Sequence, residues 1–406
     1  MSISLIYHAF GIKAKYEYKN QKFIKGSIYF TIERSLNNCK CSHCGSKNVR
    51  SRGKKERVFR SLPIGSKKTY IKVIIKRLEC LDCKVIRQED ITFSNGKKRY
   101  TRAFERYVLE LSKEMSIKAI ATHLGTSWDL IKEIQKTNLK RKYSKLKAKD
   151  IRFIAIDEIA SKKGHKYLTV VMNLETGAVI YVAEDRKSES LNKLWRKLGR
   201  YKKNIEAVAM DMWPAFIEAV TKNIPQAKIV FDHFHIAKML NEKLSELRRS
   251  LYRMNTDVLG KKVLKGTRWL LLKNESNLNE EKNEKQRLEE ALKLNKPLAT
   301  AYYMKEELRL FWNLESIDEG KKFLGKWCKK AYSSGIGILK KIANMLLSHR
   351  TGILNYFHYR ISTGPLEGTN NKIKVLKRKM YGFRDTEFFK LKIYDLHNCS
   401  FDLKGV

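Results

Sequence analysis

The feature that most constrains the fold of this chain is a short apolar run, residues 152–158, which ends in Asp157 and Glu158. Five or six apolar and β-branched residues are too few for a core helix but suffice for a buried strand. The run therefore predicts a strand that ends in a carboxylate at the rim of a sheet. Catalytic groups and metals are common there, but an ordinary strand-to-turn aspartate has the same pattern. Only the partners of Asp157 can decide between these interpretations.

A second apolar run, residues 205–211, also stops on an aspartate, Asp211. Two predicted strands, residues 166–172 and 178–183, lie between the two runs, and a Thr-Gly turn favours their pairing as an antiparallel hairpin. Pro214 suits the first turn of the helix that follows the second run. The two aspartates thus occupy equivalent positions on two strands.

The remaining elements complete a recognisable order. Leu191, Leu194 and Leu198 predict a helix, and residues 228–231 predict a strand that runs into Asp232. The order strand, strand, strand, helix, strand, helix, strand is that of ribonuclease H-like α/β domains, in which the first and fourth strands are neighbours. Such a domain would bring the two aspartates together, although a fold alone fixes no function.

The charge balance predicts a polyanionic partner. The 406 residues include 85 Lys and Arg against 42 Asp and Glu, a formal charge of +43 at pH 7. Because phosphate neutralisation releases counterions, double-stranded DNA is the first expectation and a membrane surface the weaker one. No apolar run approaches the roughly 18 residues of a membrane span, and residues 1–10 lack the basic region and cleavage site of a signal peptide. We expect an intracellular protein without a membrane partner.

Two Cys-x-x-Cys pairs predict a structural zinc site, because four thiolates complete a closed tetrahedral Zn²⁺ shell. The predicted ligands are Cys41, Cys44, Cys80 and Cys83. The intervening residues 45–79 exceed the usual zinc-ribbon spacing, so they should contain a hairpin of their own. Cys39 or His43 could replace one ligand, and thiols without a metal are the alternative interpretation.

Residues 1–100 alternate in the manner of strands, which predicts a small β-rich domain around the cysteines. The alternating apolar residues are Ile28, Phe30, Ile32, Ile71, Val73 and Ile75. The loop between the cysteine pairs is basic, which favours a phosphate-contacting surface over a merely solvated one. Its basic residues are Arg50, Arg52, Lys54, Lys55, Arg57 and Arg60.

Residues 101–149 change to a helical period and predict a helix-turn-helix with a basic linker. Ser116 can cap a first helix, Gly125 would end it, and Ser127 can cap a second helix. The second helix of such a pair can enter a major groove. Its predicted DNA contacts are Ser127, Trp128 and Lys132. A plain helical hairpin has a similar pattern, but the surrounding charge favours DNA binding.

An all-α insertion, residues 241–350, is predicted after the last strand. Apolar residues recur every three or four positions from Ile236 to Met254 and predict one long amphipathic helix. Residues 274–290 are so charged that an exposed loop or helix tip is expected. Trp269, Trp312 and Trp327 are expected to pack the helical insertion, with stacking on nucleic-acid bases as the alternative, and Cys328 is expected to be a buried structural thiol.

A strongly basic helix is predicted near the end of the chain, with Glu367 in its first turn. Asn370, Asn371, Lys374 and Arg378 follow Glu367 at spacings of three, four, seven and eleven, so they share its face. A glutamate in a first turn is usually only favourable to the helix dipole. Amides and cations on the same stripe suit a helix that lies against both metal and phosphate.

Two aspartates at strand ends and a glutamate on a helix suit two-metal phosphoryl chemistry. Three carboxylates brought close would repel each other unless divalent cations neutralised them, and Mg²⁺ prefers such oxygen ligands. Two ions about 4 Å apart can activate an attacking hydroxyl and stabilise the leaving oxygen of an in-line displacement.

The ordered set of motifs resembles the ISL-three family of bacterial insertion-sequence transposases, of the DDE class, over nearly the whole chain. The motifs are the paired cysteines, the helix-turn-helix, residues 156–158 followed by 163–167, and residues 210–213, 232–235 and 367–374. The resemblance implies a transposase with the fold of a multidomain α+β protein. Its parts would be an N-terminal β-rich zinc-binding domain, a helix-turn-helix, and a ribonuclease H-like α/β catalytic domain interrupted by an all-α insertion. The expected limits are 1–100, 101–149, 150–240, 241–350 and 351–406.

The resemblance also implies roles for residues. Asp157, Asp211 and Glu367 would be the catalytic triad that ligates Mg²⁺ or Mn²⁺, and the N-terminal domains look like those that bind terminal inverted repeats. Asp232 or His235 could assist the scissile phosphate, although a helix-capping aspartate and packed histidines explain that motif equally well. Glu158 would point away from the triad. It would form a salt bridge or support the metal ligands from the surrounding layer of residues.

The leading hypothesis is thus a transposase that hydrolyses a phosphodiester at an element end and joins the freed 3′-hydroxyl to target DNA. Synapsis of two ends implies a homo-oligomer, and the resemblance implies a cytoplasmic, nucleoid-associated protein. The alternative is a zinc-dependent DNA-binding regulator whose ribonuclease H-like domain is not catalytic. A structure-specific nuclease is a third option, which would not join the 3′ end to a target.

Overall fold

The computed structural model describes residues 3–12, 15–162, 166–254, 258–274, 277–293, 295–380 and 384–397. Two compact units divide the chain, Met1–Ser144 and Lys145–Val406, and each is described by itself. The division falls inside the predicted basic linker. Three features of the sequence lie outside the described residues, namely residues 163–165, residues 381–383 and Cys399.

The first unit combines a sheet with helices that follow it in the chain. Its elements are α1 (Ile3–Phe10), β1 (Tyr16–Ile24), β2 (Ser27–Arg34), β3 (Val49–Arg60), β4 (Thr69–Cys80), β5 (Ile86–Gln88), α2 (Arg102–Leu111), α3 (Ile117–Leu124) and α4 (Trp128–Lys142), with a 3₁₀ turn at Leu36–Asn38.

One five-stranded sheet forms in the first unit, in the order β1-β2-β4-β3 with β5 on β4. β3 and β4 are antiparallel neighbours, so the segment between the cysteine pairs contains the predicted hairpin. Alternation along β2 and β4 buries one face of the sheet. The predicted apolar residues are all buried there: Ile28, Phe30, Ile32, Ile71, Val73 and Ile75.

The predicted helix-turn-helix is present as α3 and α4. Ser116 Oγ accepts a hydrogen bond from the Ala119 N–H, and Ser127 Oγ accepts one from the Leu130 N–H, so both serines cap as expected. Gly125 ends α3 in the left-handed region, with a φ of 56° that favours glycine. α4 continues into the predicted linker.

The second unit alternates strands and helices and then becomes helical. Its elements are β6 (Phe153–Lys162), β7 (Lys166–Asn173), β8 (Val179–Glu184), α5 (Asn192–Leu198), β9 (Ala207–Met210), α6 (Pro214–Asn223), β10 (Lys228–Phe231), α7 (His233–Met254), α8 (Val258–Gly266), α9 (Arg268–Leu272), α10 (Glu284–Lys293), α11 (Lys296–Leu310), α12 (Ile317–Ser333), α13 (Gly337–Ser348), α14 (Arg350–Leu354), α15 (Tyr356–Tyr359), α16 (Gly364–Lys379) and α17 (Thr386–Tyr394). 3₁₀ turns lie at Ser188–Leu191, Gly199–Asn204 and Phe311–Asn313. None of the helices described here has both the length and the apolar character to cross a membrane.

The strands of the second unit form a sheet in the order β10-β9-β6-β7-β8. β6 pairs antiparallel with β7 and parallel with β9, and β10 is parallel to β9. The first and fourth strands of the unit are therefore neighbours, as the predicted ribonuclease H-like order requires. The hairpin and the helix that starts at Pro214 are also present.

Asp157 does not end its strand, contrary to the prediction. β6 continues to Lys162, because β7 pairs with it beyond the acids. β9, on the other side, pairs with β6 only as far as Ile156. Asp157 therefore lies where the parallel neighbour stops, and this arrangement opens one edge beside the acid without ending the strand.

Helices cover both faces of this sheet. Ile154 and Ile156 of β6 pack in one cluster with residues of α5 and α6, whereas Ala155 packs in a second cluster with α16 and α17. Phe388 and Phe389 of α17 are buried, and Phe389 belongs to that second cluster. The side-chain period of two along β6 sends alternate residues to the two layers.

The helical insertion has its own core, and its sequence predictions hold only in part. α7 is the expected long amphipathic helix, but Met254 at its end is 75% exposed. Trp327 and Cys328 are buried, whereas Trp269 is 66% exposed, so its predicted packing role is wrong. The charged stretch is not only a loop, because Leu288 anchors α10 in the core.

Candidate active site and metal centres

Strand register and alternation bring Asp157 and Asp211 to one edge of the sheet. Ile156 of β6 lies opposite Met210 of β9, and each aspartate is the next residue along the chain. Neighbouring strands are about 4.8 Å apart. Asp157 faces the α16 layer, because Ala155 two residues earlier packs there. The two predicted acids are therefore near neighbours on adjoining strands.

Burial makes negative charge costly at this edge. Desolvation raises the pKa of Asp157 to about 6, and the Asp211 carboxylate adds to the rise. The Glu158 N–H donates to Asp157 Oδ1 at 2.7 Å and acts in the opposite direction, as does His235. Burial also raises the pKa of Asp211, against the Trp213 N–H that donates to its Oδ1 at 3.1 Å. Two half-buried carboxylates that repel each other are an arrangement that a divalent cation stabilises.

Helix α16 carries the third predicted acid. Leu366 and Ile373 bury one side of the helix against the sheet, and full burial of a leucine contributes roughly 1.5–3 kcal/mol. Asn370, which is also buried, donates from Nδ2 to Asp157 Oδ2 at 2.7 Å. Glu367 lies one turn earlier on α16 and is exposed.

The three acids form a looser set than the cysteines. Among the described residues, the four cysteines are the one group of three or more potential ligands whose ligand atoms all lie within 4.8 Å of one another. Asp157, Asp211 and Glu367 are connected instead through strand register and the Asn370 hydrogen bond. Their oxygens are the donors that Mg²⁺ and Mn²⁺ prefer. The oxygen ligands of the three acids therefore suit a hard cation such as Mg²⁺. They do not form a cluster as close as that of the cysteine sulfurs.

Asp232 caps helix α7 from inside the core. Its Oδ1 accepts from the Phe234 N–H at 3.4 Å, and its Oδ2 accepts from the Thr363 hydroxyl just before α16. Asp232 thus joins the starts of two helices, which matches the capping interpretation. His235 Nε2 lies 4.0 Å from Asp232 Oδ2, and the interaction of His235 with Asp157 lowers the pKa of that acid.

Arg186 is a site residue that the sequence patterns did not single out. Its Nη1 lies 3.4 Å from Glu158 Oε1, so the salt bridge expected for Glu158 is present. Its guanidinium lies over the rings of Tyr167 and Trp213, 4.6 and 4.5 Å from their centroids. The Trp213 Nε1–H donates to the Arg186 carbonyl oxygen at 3.3 Å. A lone arginine after a strand carries no local signal that could have predicted this arrangement.

The four predicted cysteines lie together at the ends of the β3–β4 hairpin. Cys41 Sγ is 3.7 Å from Cys83 Sγ, and Cys44 Sγ is 3.5 Å from Cys80 Sγ. A tetrahedral site with Zn–S bonds of about 2.3 Å has sulfurs about 3.8 Å apart, so the spacing fits structural Zn²⁺. Hydrogen bonds from the N–H groups of Cys44 and His43 lower the pKa of the Cys41 thiol to about 6, whereas the sulfurs of Cys80 and Cys83 raise the pKa of Cys44. Zinc binds the thiolate form, so metal binding releases the remaining protons.

Cys39 has other partners. Its thiol donates to Ser35 O at 3.4 Å and to Glu89 Oε2 at 3.3 Å, and burial raises its pKa to about 11. His43 approaches Cys41 Sγ through its backbone N–H. In the described part of the chain the ligand group contains neither residue, so the alternative ligand set is not the one that forms.

The predicted DNA-contacting residues of β3 are partly neutralised within the first unit. Arg50 and Arg52 both pair with Glu79, and Lys54 Nζ lies 2.9 Å from Glu33 Oε1. Exposed ion pairs of this kind contribute about 0–1 kcal/mol. Phosphate oxygens could therefore replace these partners at small cost.

Two further arginines of β3 have structural contacts. Arg57 Nη2 donates to Lys98 O at 3.2 Å, and its guanidinium lies over the Phe59 ring. Arg60 is 8% exposed and donates from Nη2 to Leu124 O at 2.9 Å. Because its guanidinium is buried against α3, the phosphate-contacting role expected for Arg60 is wrong.

The first turns of α4 present an aromatic ring and a cation. Ser127 uses its hydroxyl for capping. Trp128 is 46% exposed, and Lys132 Nζ lies 5.3 Å from its ring centroid. Both side chains project from the helix that the helix-turn-helix pattern assigns to the major groove.

The basic residues of α16 lie on its exposed side. Asn371, Lys374 and Arg378 are all exposed, and Lys374 Nζ donates to Asn371 Oδ1 at 3.1 Å. Asn370, the adjacent residue, turns inward to Asp157. Asn370 of α16 therefore contacts Asp157, and the other polar residues of the helix, Asn371, Lys374 and Arg378, face solvent.

Three family models match consecutive parts of the chain. Residues 37–83 match the zinc-finger of transposase IS204/IS1001/IS1096/IS1165, and residues 89–137 match the helix-turn-helix domain of transposase family ISL3, the ISL-three family named above. Residues 154–393, more than half of the chain, match the ISL3 DDE model described as a transposase.

Curated relatives agree with these matches. The chain is 31% identical over 356 residues to the transposase for insertion sequence element IS1001 of Bordetella parapertussis, which covers 87% of each protein. It is 26% identical to the transposase for insertion sequence element IS1557 of Mycobacterium tuberculosis, over 86% of this chain and 83% of that protein. A solved Drosophila P element transposase strand transfer complex is similar at a TM-score of 0.40 and 10% identity, covering 73% of this chain and 91% of that one. This chain belongs to the ISL3 family of DDE transposases.

Proposed function

We propose that Asp157, Asp211 and Glu367 are the catalytic triad of this transposase. The observation that carries the proposal is the convergence of three elements separated widely in the chain. Parallel register sets the two aspartates on adjoining strands, and Asn370 ties the helix of Glu367 to Asp157. The triad catalyses hydrolysis of a phosphodiester at an element end, and the freed 3′-hydroxyl then attacks a phosphodiester of target DNA.

The same three acids hold divalent metal, Mg²⁺ or Mn²⁺. When bound, two such cations activate the attacking oxygen and stabilise the leaving oxygen. Asp157 and Asp211, both half-buried, supply the negative charge that retains the cations. Asn370 holds the Asp157 carboxylate in one orientation, and the exposed Glu367 completes the ligands on the side open to DNA. His235 is an accessory group beside the acids. Asp232 has a structural role, because it caps α7 and accepts a hydrogen bond from Thr363 just before α16.

The first unit recognises double-stranded DNA at the element ends. A zinc-bound hairpin and a helix-turn-helix suit the terminal inverted repeats of an insertion sequence, and the similar curated proteins are transposases for insertion sequence elements. The contacts proposed on this unit are Arg50, Arg52, Lys54, Arg57, Ser127, Trp128 and Lys132. On the second unit they are Asn371, Lys374 and Arg378, on the exposed stripe of α16.

The active assembly is a homo-oligomer that synapses two element ends and works in the cytoplasm, at the nucleoid. Within the chain, residues 150–240 and 351–406 form the catalytic core, and residues 241–350 form the insertion. α7 crosses the limit between core and insertion, so it connects them as one rigid element. The limits 1–100 and 101–149 separate the zinc and helix-turn-helix parts of the first unit.

Strand-cleavage assays on duplex DNA with the element ends test the triad. Asp157→Ala and Glu367→Ala should abolish Mg²⁺-dependent cleavage and leave end binding largely intact, because neither residue is in the first unit. Glu218→Ala, an exposed acid on α6, is the matched control and should cut normally. A triad variant that still cuts contradicts the assignment. A wild-type protein that binds ends but never nicks them with Mg²⁺ or Mn²⁺ favours the regulator instead.

A further inference from the structure

A basic cleft of about 500 Å³ opens beside helix α7 in the second unit. Its lining combines four cations with one acid. The residues that line it include Phe234, Lys238, Glu242, Arg248, Arg249 and Arg268. We call it the α7 cleft. Clefts of this volume are large enough to take part of a bound ligand.

The positive charge of the α7 cleft exceeds the negative charge near it, which comes from Glu242 in the lining and from Glu246, which attracts Arg249. Burial lowers the pKa of Arg248, and its neighbours Arg268 and Arg249 lower it further, so three guanidiniums repel each other. Among the described residues, no carboxylate lies within ion-pair distance of Lys238, Arg249 or Arg268. Like charges gathered in a concavity raise the local concentration of anions, so the cleft is suited to phosphate.

One lining residue of the α7 cleft is next in sequence to a histidine that interacts with the acids. Phe234 lines the cleft, and the next residue, His235, interacts electrostatically with both Asp157 and Asp211. The cleft residues of α7 form one stripe, whereas Ile236 and the leucines that follow it on α7 are buried on another face. The stripe therefore leads away from the catalytic edge.

Helix geometry gives the reach of this stripe. Fifteen residues separate Phe234 from Arg249, which corresponds to about 22 Å at 1.5 Å per residue. A DNA strand rises about 3.4 Å per nucleotide. Measured from Phe234, the stripe is thus about as long as six nucleotides of one strand.

Two exposed aromatic side chains accompany the cations. Phe234, which lines the cleft, is 52% exposed, and Trp269, which follows the lining residue Arg268 in sequence, is 66% exposed. The Arg268 guanidinium lies 4.8 Å from the Trp269 ring centroid. Rings interleaved with cations are typical of surfaces that follow a nucleic-acid strand.

We propose that the α7 cleft binds the DNA backbone within about six nucleotides of the scissile phosphate. The proposal rests on the assignment of the acids as the cleavage site. Arg249 and Arg268 contact phosphates of that strand, and Phe234 marks the end nearest the cut. The insertion is thereby a DNA-positioning element of the catalytic unit.

Neutral phosphate substitution tests this proposal on the full chain. Duplexes that carry the inverted repeats bordering the reading frame receive methylphosphonates either within about six nucleotides of the cleaved position or well inside the repeat. Wild-type affinity should fall about tenfold for the first set. The same methylphosphonates should lower the DNA affinity of the double variant Arg249→Ala/Arg268→Ala by less than about twofold. The effects of two groups that contact each other are not additive, so removing the arginines removes the effect of the phosphate charge. Arg248 is kept, since it donates to Leu264 O.

The control is Lys326→Ala/Lys329→Ala, which removes the same charge from the exposed side of α12, outside the cleft. It should respond to methylphosphonates as the wild type does. Equal sensitivity of the cleft variant and the wild type overturns the proposal, as does a control that behaves like the cleft variant. A wild type that is sensitive in this window but never cuts supports the cleft while contradicting the proposed triad.

Discussion

Asn370 Nδ2 donates a hydrogen bond to Asp157 Oδ2 at 2.7 Å, across 213 residues of sequence. The bond connects α16 to β6 at the point where β9 stops pairing. It leaves Asp157 Oδ1 with the Glu158 N–H, so both oxygens of the first acid are oriented by the protein. The bond thereby fixes the position of the Glu367 helix relative to the strand of Asp157.

Asn370→Ala should lower cleavage about 10–100-fold, the usual effect of removing a group that orients a metal ligand. Without the amide, Asp157 loses one of its two orienting donors. Cleavage titrated with Mn²⁺ should show a raised metal requirement, with end-DNA binding unchanged. Asn371→Ala is the matched control: its exposed side chain can change DNA affinity but not the metal requirement. An unchanged Mn²⁺ titration for Asn370→Ala would contradict this role.

Asp157→Asn should stabilise the metal-free protein at neutral pH. Because desolvation raises the pKa of Asp157 from 3.8 to about 6, the folded state holds this proton more tightly than the unfolded state. The cost of its charge is therefore absent below about pH 4 and fully present above about pH 6. We expect the free energy of unfolding of Asp157→Asn to exceed that of the wild type by about 1–3 kcal/mol at pH 7.5. This difference should become smaller as the pH falls towards 5.

Thermal unfolding with and without Mg²⁺ measures this effect. Mg²⁺ should raise the Tm of the wild type and have little effect on Asp157→Asn, because the variant lacks a ligand charge. Asp150→Asn, at an exposed position, should leave the Tm unchanged in both conditions. A variant less stable than the wild type in EDTA at pH 7.5 would contradict the prediction.

Arg186→Lys should not restore the activity lost in Arg186→Ala. Lysine retains the charge near Glu158 but cannot stack as a planar group over Tyr167 and Trp213. We expect both variants to cut about tenfold more slowly, a factor equivalent to about 1.4 kcal/mol, with end binding retained. Arg152→Lys, at a surface ion pair with Glu175, should cut normally. Full activity of Arg186→Lys would show that only the charge matters.

Cys41→Ser and Cys80→Ser should each lose bound zinc, whereas Cys39→Ser should keep it. The first two remove one of four sulfurs from the cluster, and the third removes a thiol that hydrogen-bonds to Glu89. Metal analysis of the purified proteins gives the answer directly. Unchanged zinc in the first two variants, or loss of zinc in Cys39→Ser, would refute the ligand set.

Gly125→Ala should destabilise the helix-turn-helix by about 1 kcal/mol, because alanine disfavours the left-handed φ of 56°. The new methyl group would also displace the side chain of Lys68. Gly325→Ala, inside α12 with open space around its Cα, should instead stabilise by about 0.5–1 kcal/mol. Chemical denaturation of the two variants compares them, and equal destabilisation would contradict the φ argument.

Local features of the structure followed from local sequence. The alternation of β2 and β4 and the caps at Ser116 and Ser127 depend on neighbouring residues alone, so periodicity and capping chemistry predict them. The cysteine spacing likewise implied a hairpin. The errors arose where burial depends on distant elements. Trp269 is exposed and Arg60 is buried because the elements packed around them cover one side of the chain and leave another open. The residues next to them in sequence do not indicate which side is covered.

Spacing and periodicity were enough to identify the acids, cysteines and helices of this protein, because those signals lie within single elements. The continuation of β6 past Asp157, the hydrogen bond from Asn370 to that acid and the stacking of Arg186 on Trp213 became visible in the folded chain alone. The tertiary structure also places one stripe of α7 along a basic cleft. These relationships depend on packing between elements distant in sequence, where the geometry of many side chains acts together.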